Sequence, residues 1–182
     1  RPDLGTINCQ TVFAAGYKVP EHTRTVIHQY VPKERLATFE VPDDVSTEGV
    51  MPRMVEHLTH HRDVLQNRGL GGLVDVWVCD TQGPFDIAAM VRGHEIFTDF
   101  YEDPDFVHGL MGKTTDVYVK VTRLCKRLNG EGDGPGSAVG IWMERGAARM
   151  CGDSDILVSP EQHERFILPY ERRAFEALGG GW

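Results

Sequence analysis

The chain has 182 residues, of which 41% are hydrophobic and 25% are charged. This composition is typical of a globular domain with one apolar core, and it excludes disordered and fibrous proteins. No run approaches the roughly 18 apolar residues that a membrane span requires, and the first residues lack a secretory pattern. We therefore predict a cytoplasmic protein. The net charge of −8 disfavours nucleic acid or an anionic membrane as partner, because both require clustered Lys and Arg.

The cysteines are well separated in the sequence and form no C-x-x-C pair. They are Cys9, Cys79, Cys125 and Cys151. Neither a disulfide framework nor a self-contained zinc module is indicated. We expect reduced thiols, most of them buried.

The first half of the chain changes in pattern near residue 51. In residues 1–45, prolines interrupt short β-prone runs, which predicts extended segments and loops. From Met51, apolar residues recur at helical spacing until Gly69, so we predict an amphipathic helix that ends near Arg68. Residues 73–79 form a short apolar, β-branched run between glycines, which is typical of a strand buried on both faces.

Two further helices and a second strand follow. Pro84 is suited to the first turn of a helix, and Asp103 with Pro104 predicts the start of a long helix that runs through Leu128. A second buried strand is predicted over 138–143.

Ser159 and Gln162 together match the two positions of a capping box. The last predicted helix therefore begins at Ser159 and runs to Leu178. Two successive strand–loop–helix units with connections of about 40 residues predict parallel strands alternating with helices, that is, an α/β fold.

Three segments resemble the uroporphyrinogen decarboxylase superfamily. Residues 83–93, GPFDIAAMVRG, resemble the G-x-P-F/W-T-L segment that follows a strand in that family. Residues 157–170, LVSPEQHERFILPY, resemble its S-P-E helix with the F-x-L-P-Y ending. Residues 105–108 resemble its D-P-E-x-V-H pattern. The match is good over residues 50–182 and loose before them.

The resemblance implies a (β/α)8 (TIM) barrel, which takes about 250 residues or more. We therefore expect residues 1–182 to be a partial barrel domain that lacks N- and C-terminal units, a central piece of a longer protein. Reacting groups in such barrels follow the C-terminal ends of the strands. The candidate catalytic residues are accordingly Glu144 and Asp153. The candidate substrate-binding residues are Gln82, Phe85, Asp86, Met90 and Asp155.

Each candidate also has a purely structural interpretation. Glu144 could pair with Arg145 or Arg149, and the aspartates could be turn residues beside a helix start. Phe85 and Met90 are the types of side chain that fill cores. Cys151 is interpreted as an inert thiol, because a reactive one needs a positive neighbourhood.

The superfamily contains two main chemistries. One removes carboxyl groups from uroporphyrinogen, a tetrapyrrole, without a cofactor; the other transfers methyl groups to or from a corrinoid or a thiol. The decarboxylase pattern has Tyr and Ser where this chain has Met90 and Asp153. A thioether donates no hydrogen bond, and a carboxylate repels a substrate with eight carboxylates.

These departures favour corrinoid-linked methyl transfer as the leading hypothesis. The first alternative is a uroporphyrinogen decarboxylase, a carboxy-lyase. The second is a non-catalytic half-barrel that binds a partner subunit.

The resemblance also implies a zinc ion in the whole protein. Its H-x-C ligand motif would follow Trp182, so the ligands would lie outside this chain, and we predict no complete metal site within it: Cys151 and Glu144 supply at most two of the three or four ligands that zinc takes from protein. A solvated helix face is preferred to a metal site for His57, His60 and His61. The expected partners are a small-molecule substrate, a corrinoid on a partner protein and a second copy of the chain.

Overall fold

The computed structural model describes residues 5–18, 26–74, 76, 79–132, 136–138, 141–144 and 149–181. These residues are mostly helical. The helices are α1 (Asn8–Val12), α2 (Lys33–Thr38), α3 (Met51–Asn67), α4 (Pro84–Arg92), α5 (Glu95–Glu102), α6 (Pro104–Leu128), α7 (Pro160–Gln162) and α8 (Leu168–Ala177). A π-helical turn, His163–Ile167, joins α7 to α8, and 3-10 helices lie at Val45–Thr47 and Asp153–Leu157. The strands are β1 (Gly16–Lys18), β2 (Val26–Gln29), β3 (Gly136–Ala138) and β4 (Ile141–Met143).

The 25-residue helix α6 lies at the centre of the core and contacts α1 to α5 and α8. Its buried side chains cover slightly more than half of its circumference, a wider stripe than that of a typical surface helix. They include Val107, Leu110, Met111, Val117, Tyr118, Val121 and Cys125. The buried hydroxyls of Thr114 and Thr115 both donate to the carbonyl of Met111. The core therefore encloses α6 without leaving those hydroxyls unpaired.

The predicted long helices are confirmed. The first, α3, ends one residue before Arg68, and Pro84 occupies the first turn of α4. Asp103 caps α6, where its side chain accepts a hydrogen bond of 3.1 Å from the Phe106 N–H. Ser159 and Gln162 form the capping box at the start of α7.

The helical segment from α7 to α8 is irregular next to Pro169. Pro169 is the second residue of α8, directly after the π-helical turn. Proline lacks an N–H and its ring clashes with the preceding turn of an α-helix, which normally costs about 3 kcal/mol or more. A π turn relaxes that part of the ladder, so the segment continues past the proline.

The predicted strands are only partly present. Residues 138–143 do not form one strand: Ala138 ends β3, and β4 returns antiparallel to it, with Ala138 opposite Ile141 and Gly136 opposite Met143. This hairpin pairs the backbone groups of its strands within eight residues, and it leaves Trp142 63% exposed. The other described pair, β1 with β2, is also antiparallel.

The expected parallel sheet is therefore not among the described strand pairings. Of the predicted strand 73–79, residues 73 and 74 lie in a turn and a bend, and 76 and 79 lie outside regular elements; residues 75, 77 and 78 lie outside the described set. The described part is thus mostly helical with few strands, and it does not show a TIM barrel.

The first 45 residues contain two short helices where loops were predicted. All five residues of α1 are buried, including the polar Asn8, Gln10 and Thr11, so apolar and polar residues do not alternate with a helical period. Only Leu36 is buried in the six-residue α2, which follows Pro32. Both helices are too short to show a 3.6-residue repeat, and packing against α6 stabilises them.

The cysteines are mostly buried, as predicted. Cys9, Cys79 and Cys125 are buried, and Cys151 is half-buried. The Sγ atoms of Cys79 and Cys125 lie 3.1 Å apart inside the core. Within the described residues, no helix combines the length and the apolar character needed to cross a bilayer.

An aromatic cluster joins α4, α5 and the π-helical turn beside α6. The ring of Phe85 lies 6.0 Å from that of Phe97 and 5.7 Å from that of Phe100, and Phe100 lies 4.9 Å from Phe166. Phe85 is only 1% exposed. This predicted substrate-binding side chain is therefore a core residue in the structure.

Replacing Phe85 by alanine should destabilise the protein by about 3–5 kcal/mol, because it leaves a cavity in this cluster. Urea denaturation measures the change in unfolding free energy. Tyr101→Ala is the matched control: Tyr101 is 78% exposed, so its loss should change stability by less than about 0.5 kcal/mol. Equal effects of the two variants would contradict the assignment of Phe85 to the core.

The cap at Asp103 should make stability depend on pH. The Phe106 N–H and then Lys33 hold the pKa of the Asp103 carboxyl below its usual value. Because the folded-state pKa is the lower one, the cap stabilises above the unfolded pKa of about 3.9 and is lost as pH falls through the folded value.

Asp103→Ala should therefore lower Tm at pH 7, and its difference from the wild type should shrink in acid. Asp103→Asn keeps an acceptor for the Phe106 N–H without the charge, so it should retain part of the Tm. Thermal unfolding monitored by circular dichroism across pH tests both; a difference for Asp103→Ala that persists unchanged in acid would contradict this account.

Candidate functional site

Two loops that follow the predicted strands meet at the start of α4. The Gly83 N–H donates a 3.0 Å hydrogen bond to the carbonyl of Cys151. The carboxylate of Asp86 accepts from the backbone N–H groups of Asp153 at 3.1 Å and Ser154 at 2.7 Å. We call residues 79–86 and 149–158 the site loops. The two site loops are therefore in direct contact through backbone and side-chain hydrogen bonds.

The core holds both site loops in place. The Tyr118 hydroxyl, fully buried on α6, donates to the carbonyl of Arg149 at 2.8 Å. The guanidinium of Arg149 forms a 2.7 Å ion pair with Asp80, and the amide of Asn8 donates to the Asp80 carbonyl at 3.2 Å. The site is therefore attached to the central helix through short polar contacts.

One cluster at the site combines a thiol with two carboxylates. Ligand-type atoms of Asp86, Cys151 and Asp153 all lie within 4.8 Å of one another. Burial, together with Asp153 and Asp86, raises the pKa of the Cys151 thiol to about 11. The thiol is therefore protonated at neutral pH, as the interpretation of Cys151 as inert requires. Because both oxygens of Asp86 already accept backbone hydrogen bonds, we assign no ion here.

A second cluster lies beside the first. His163 Nε2 lies 3.8 Å from Asp155 Oδ2 and 3.9 Å from Glu171 Oε2. Burial, and then the charges of Glu171 and Asp86, raise the pKa of Asp155 to about 6. Burial also raises the pKa of Glu171. The site thus concentrates negative charge in a poorly solvated place.

A cavity of about 330 Å³ adjoins the site loops through Ser154 and Leu157. Much of its lining is apolar or aromatic, and Met90 is part of it. The lining residues are Thr6, Ile27, Tyr30, Ala89, Met90, Gly93, His94, Phe97, Ser154 and Leu157. The Met90 sulfur lies 3.0 Å from the Gln10 amide nitrogen. A cavity of this size accommodates a small molecule.

The predicted site residues divide into two groups. The structure brings Asp86, Asp153 and Asp155 together and places Met90 on the neighbouring cavity. Three others stand apart from this group. Gln82 is buried within its loop and Phe85 lies in the core, while Glu144 is exposed at the end of β4 and forms no hydrogen bond or ion pair with another described residue. The functional roles of all seven stay predictions.

Sequence reasoning missed His163 and Glu171. They lie eight positions apart, a spacing that places two side chains about 80° apart on a regular α-helix. The available signal was Pro169 between them, since a proline inside a helical pattern announces a local change in the helix. The presence of a π turn could not be read from the proline alone.

The fold is shared with a solved enzyme structure. The sequence matches no protein-family model, and comparison with curated proteins finds no match. In structure the chain is similar to a methyltransferase from Methanosarcina mazei, with a TM-score of 0.71 and 12% sequence identity. The similarity covers 98% of this chain and 48% of that one. The chain therefore spans about half the length of that methyltransferase and shares the fold of that half.

Gly83 controls the approach of the two site loops. A Cβ at this position would lie 2.5 Å from the carbonyl oxygen of Cys151. Gly83→Ala should therefore push the loops apart and destabilise the protein by about 1–3 kcal/mol, the usual range for overpacking. Amide hydrogen exchange of residues 149–158 should accelerate.

Gly109→Ala is the matched control for this prediction. A Cβ there meets nothing within 4 Å, and alanine favours the helical conformation of α6 by up to about 1 kcal/mol. If Gly83→Ala leaves exchange in the second site loop unchanged, the loops do not depend on this contact.

Proposed function

We propose that this chain is about half of a methyl-transferring enzyme of the uroporphyrinogen decarboxylase superfamily, with a corrinoid protein as methyl carrier. The observation that carries the proposal is the meeting of the two site loops, around Asp86 and Asp153, beside a cavity of about 330 Å³. The sequence resemblance over residues 83–93 and 157–170, and the fold shared with a protein described as a methyltransferase, support the same chemistry.

Of the two proposed reactants, a small methylated molecule and a corrinoid, the cavity suits the small molecule. Its lining around Met90 and Phe97 offers apolar surface to a small methylated molecule. A corrinoid ring is too large for 330 Å³, so it would be presented at the surface by its carrier protein. The Asp86 carboxylate, which accepts from two N–H groups of the second loop, keeps the side chains of Cys151 and Asp153 at the site.

The charge of the site favours methyl transfer over uroporphyrinogen decarboxylation. Asp86, Asp153 and Asp155 lie close enough that the charges of the first two help to raise the pKa of the third. A substrate with many carboxylates would bring further negative charge to this place and be repelled. The zinc ion that activates the methyl acceptor in such enzymes belongs to this proposal, with ligands outside the chain.

The test uses the whole protein with methylcobalamin as the methyl donor and a thiol as the acceptor. Loss of the methyl–cobalt absorption measures the rate. The wild type should be active, and Asp153→Asn should reduce kcat/KM at least tenfold, about 1.4 kcal/mol of barrier. Asp63→Asn, the same change at an exposed site on α3, should leave the rate unchanged.

A parallel assay with uroporphyrinogen separates the alternatives. Decarboxylation without demethylation of methylcobalamin would favour the carboxy-lyase and contradict methyl transfer. Inactivity in both assays, with a stable complex between this chain and a partner subunit, would favour the non-catalytic half-barrel.

A further inference from the structure

We propose that Asp155, His163 and Glu171 form a binding site for a divalent transition-metal ion, of which Zn²⁺ is the probe. The site lies beside the candidate functional site but does not depend on methyl transfer. An imidazole with two carboxylates is a ligand set that Zn²⁺, Fe²⁺ and Mn²⁺ accept, and three protein ligands leave positions open for water or substrate.

The three ligand atoms are nearly in place. His163 Nε2 lies 3.8 Å from Asp155 Oδ2 and 3.9 Å from Glu171 Oε2, and all three atoms lie within 4.8 Å of one another. Ligands at 2.0–2.2 Å from a zinc ion lie roughly 3 to 3.5 Å apart. Small side-chain movements would therefore close the triangle around an ion.

The π-helical turn brings two of the ligands to one face. His163 and Glu171 are eight residues apart, which on a regular α-helix rotates one about 80° from the other. The π turn takes up an extra residue, so eight residues rotate about as seven do, within roughly 20° of alignment. Single π turns occur frequently at functional sites. Here the π turn places His163 and Glu171 on the same face of the helical segment.

Asp155 reaches the pair from the preceding 3-10 helix, Asp153–Leu157. The residue at 152 must be small, because a Cβ on Gly152 would lie 2.5 Å from Asp155 Oδ2. Glycine at position 152 therefore leaves space for the Asp155 carboxylate.

The second oxygen of the Asp155 carboxylate also lacks compensation in the described part of the structure. Asp155 Oδ1 is buried and accepts no hydrogen bond from any described residue, and a buried oxygen without a partner is costly. The side chains of Asp155, His163 and Glu171 are only 22%, 32% and 19% exposed. Two carboxylates that repel each other in such a place are stabilised by a divalent cation.

The competing explanation is a simple ion pair, in which a protonated His163 bridges the two carboxylates. Such a pair would need no metal. The two explanations differ in what happens when Zn²⁺ is added and when one carboxylate is neutralised.

The experiment is titration of the untagged, chelator-treated protein with Zn²⁺ by calorimetry. We expect one ion bound at this site, in addition to any zinc held by ligands outside residues 1–182, with micromolar or tighter Kd and a rise in Tm, because an ion that binds only the folded state stabilises it. His163→Ala and Glu171→Gln should each weaken Zn²⁺ binding at least tenfold. His60→Ala, which removes an exposed histidine of α3, should leave Kd unchanged.

Two further variants keep the test decisive. Asp155→Asn should weaken binding at least tenfold, yet without metal its Tm should equal or exceed that of the wild type, since repulsion is relieved. This excludes misfolding as the cause of lost binding. Cys151→Ser should bind Zn²⁺ normally, and its Co²⁺ form should show the same visible d–d and thiolate charge-transfer bands as the wild type.

Unchanged binding in His163→Ala, or binding lost only in Cys151→Ser, would overturn the proposal. So would a Tm without metal that is lower in Asp155→Asn, which a stabilising ion pair requires. Metal binding is measured here without any methyl donor, so a failure of this site and a failure of the proposed enzymatic activity are distinguishable.

Discussion

The enclosure of α6 is the constraint on which the rest of the structure depends. A helix of 25 residues with buried side chains over more than half of its circumference must be covered from several directions, and α1 to α5 and α8 provide that cover. The same helix fixes the functional region, because the buried Tyr118 hydroxyl bonds to the carbonyl of Arg149. Core packing and the position of the site loops are therefore coupled through one side chain.

The site differs from the core in its electrostatics. Asp86 is almost fully buried and is compensated by two backbone N–H groups. Asp155 and Glu171 receive less compensation, and the pKa of each is raised. An arrangement of this kind favours a cation or a proton over an anionic ligand. This bias disfavours a polycarboxylate substrate.

The sequence predicted the long helices, whose signals are local. It did not predict the strands correctly, because a strand depends on the backbone segment with which it pairs. The long helices α3 and α6 were recognisable from their apolar period and from caps such as Asp103. The prediction of a single strand over 138–143 was wrong, because an apolar run does not reveal the backbone segment with which it pairs. Here Ile141–Met143 pairs antiparallel with Gly136–Ala138. Asp86 and Asp153 were grouped because both follow segments predicted as parallel strands; the structure brings the two residues together, although its described strand pairings are all antiparallel. The alignment of His163 with Glu171 needed the π turn.

The contacts that set the spacing of the site loops involve mostly the main chain of the second loop. Gly83 contributes an N–H, Cys151 a carbonyl, and the residues after it two further N–H groups that bind Asp86. Side chains at positions 151, 153 and 154 can therefore be exchanged while the scaffold keeps its shape. The conformation of the two site loops is thus largely independent of the side chains that would react. Natural or engineered substitutions at these positions can alter reactivity while the loops keep their conformation.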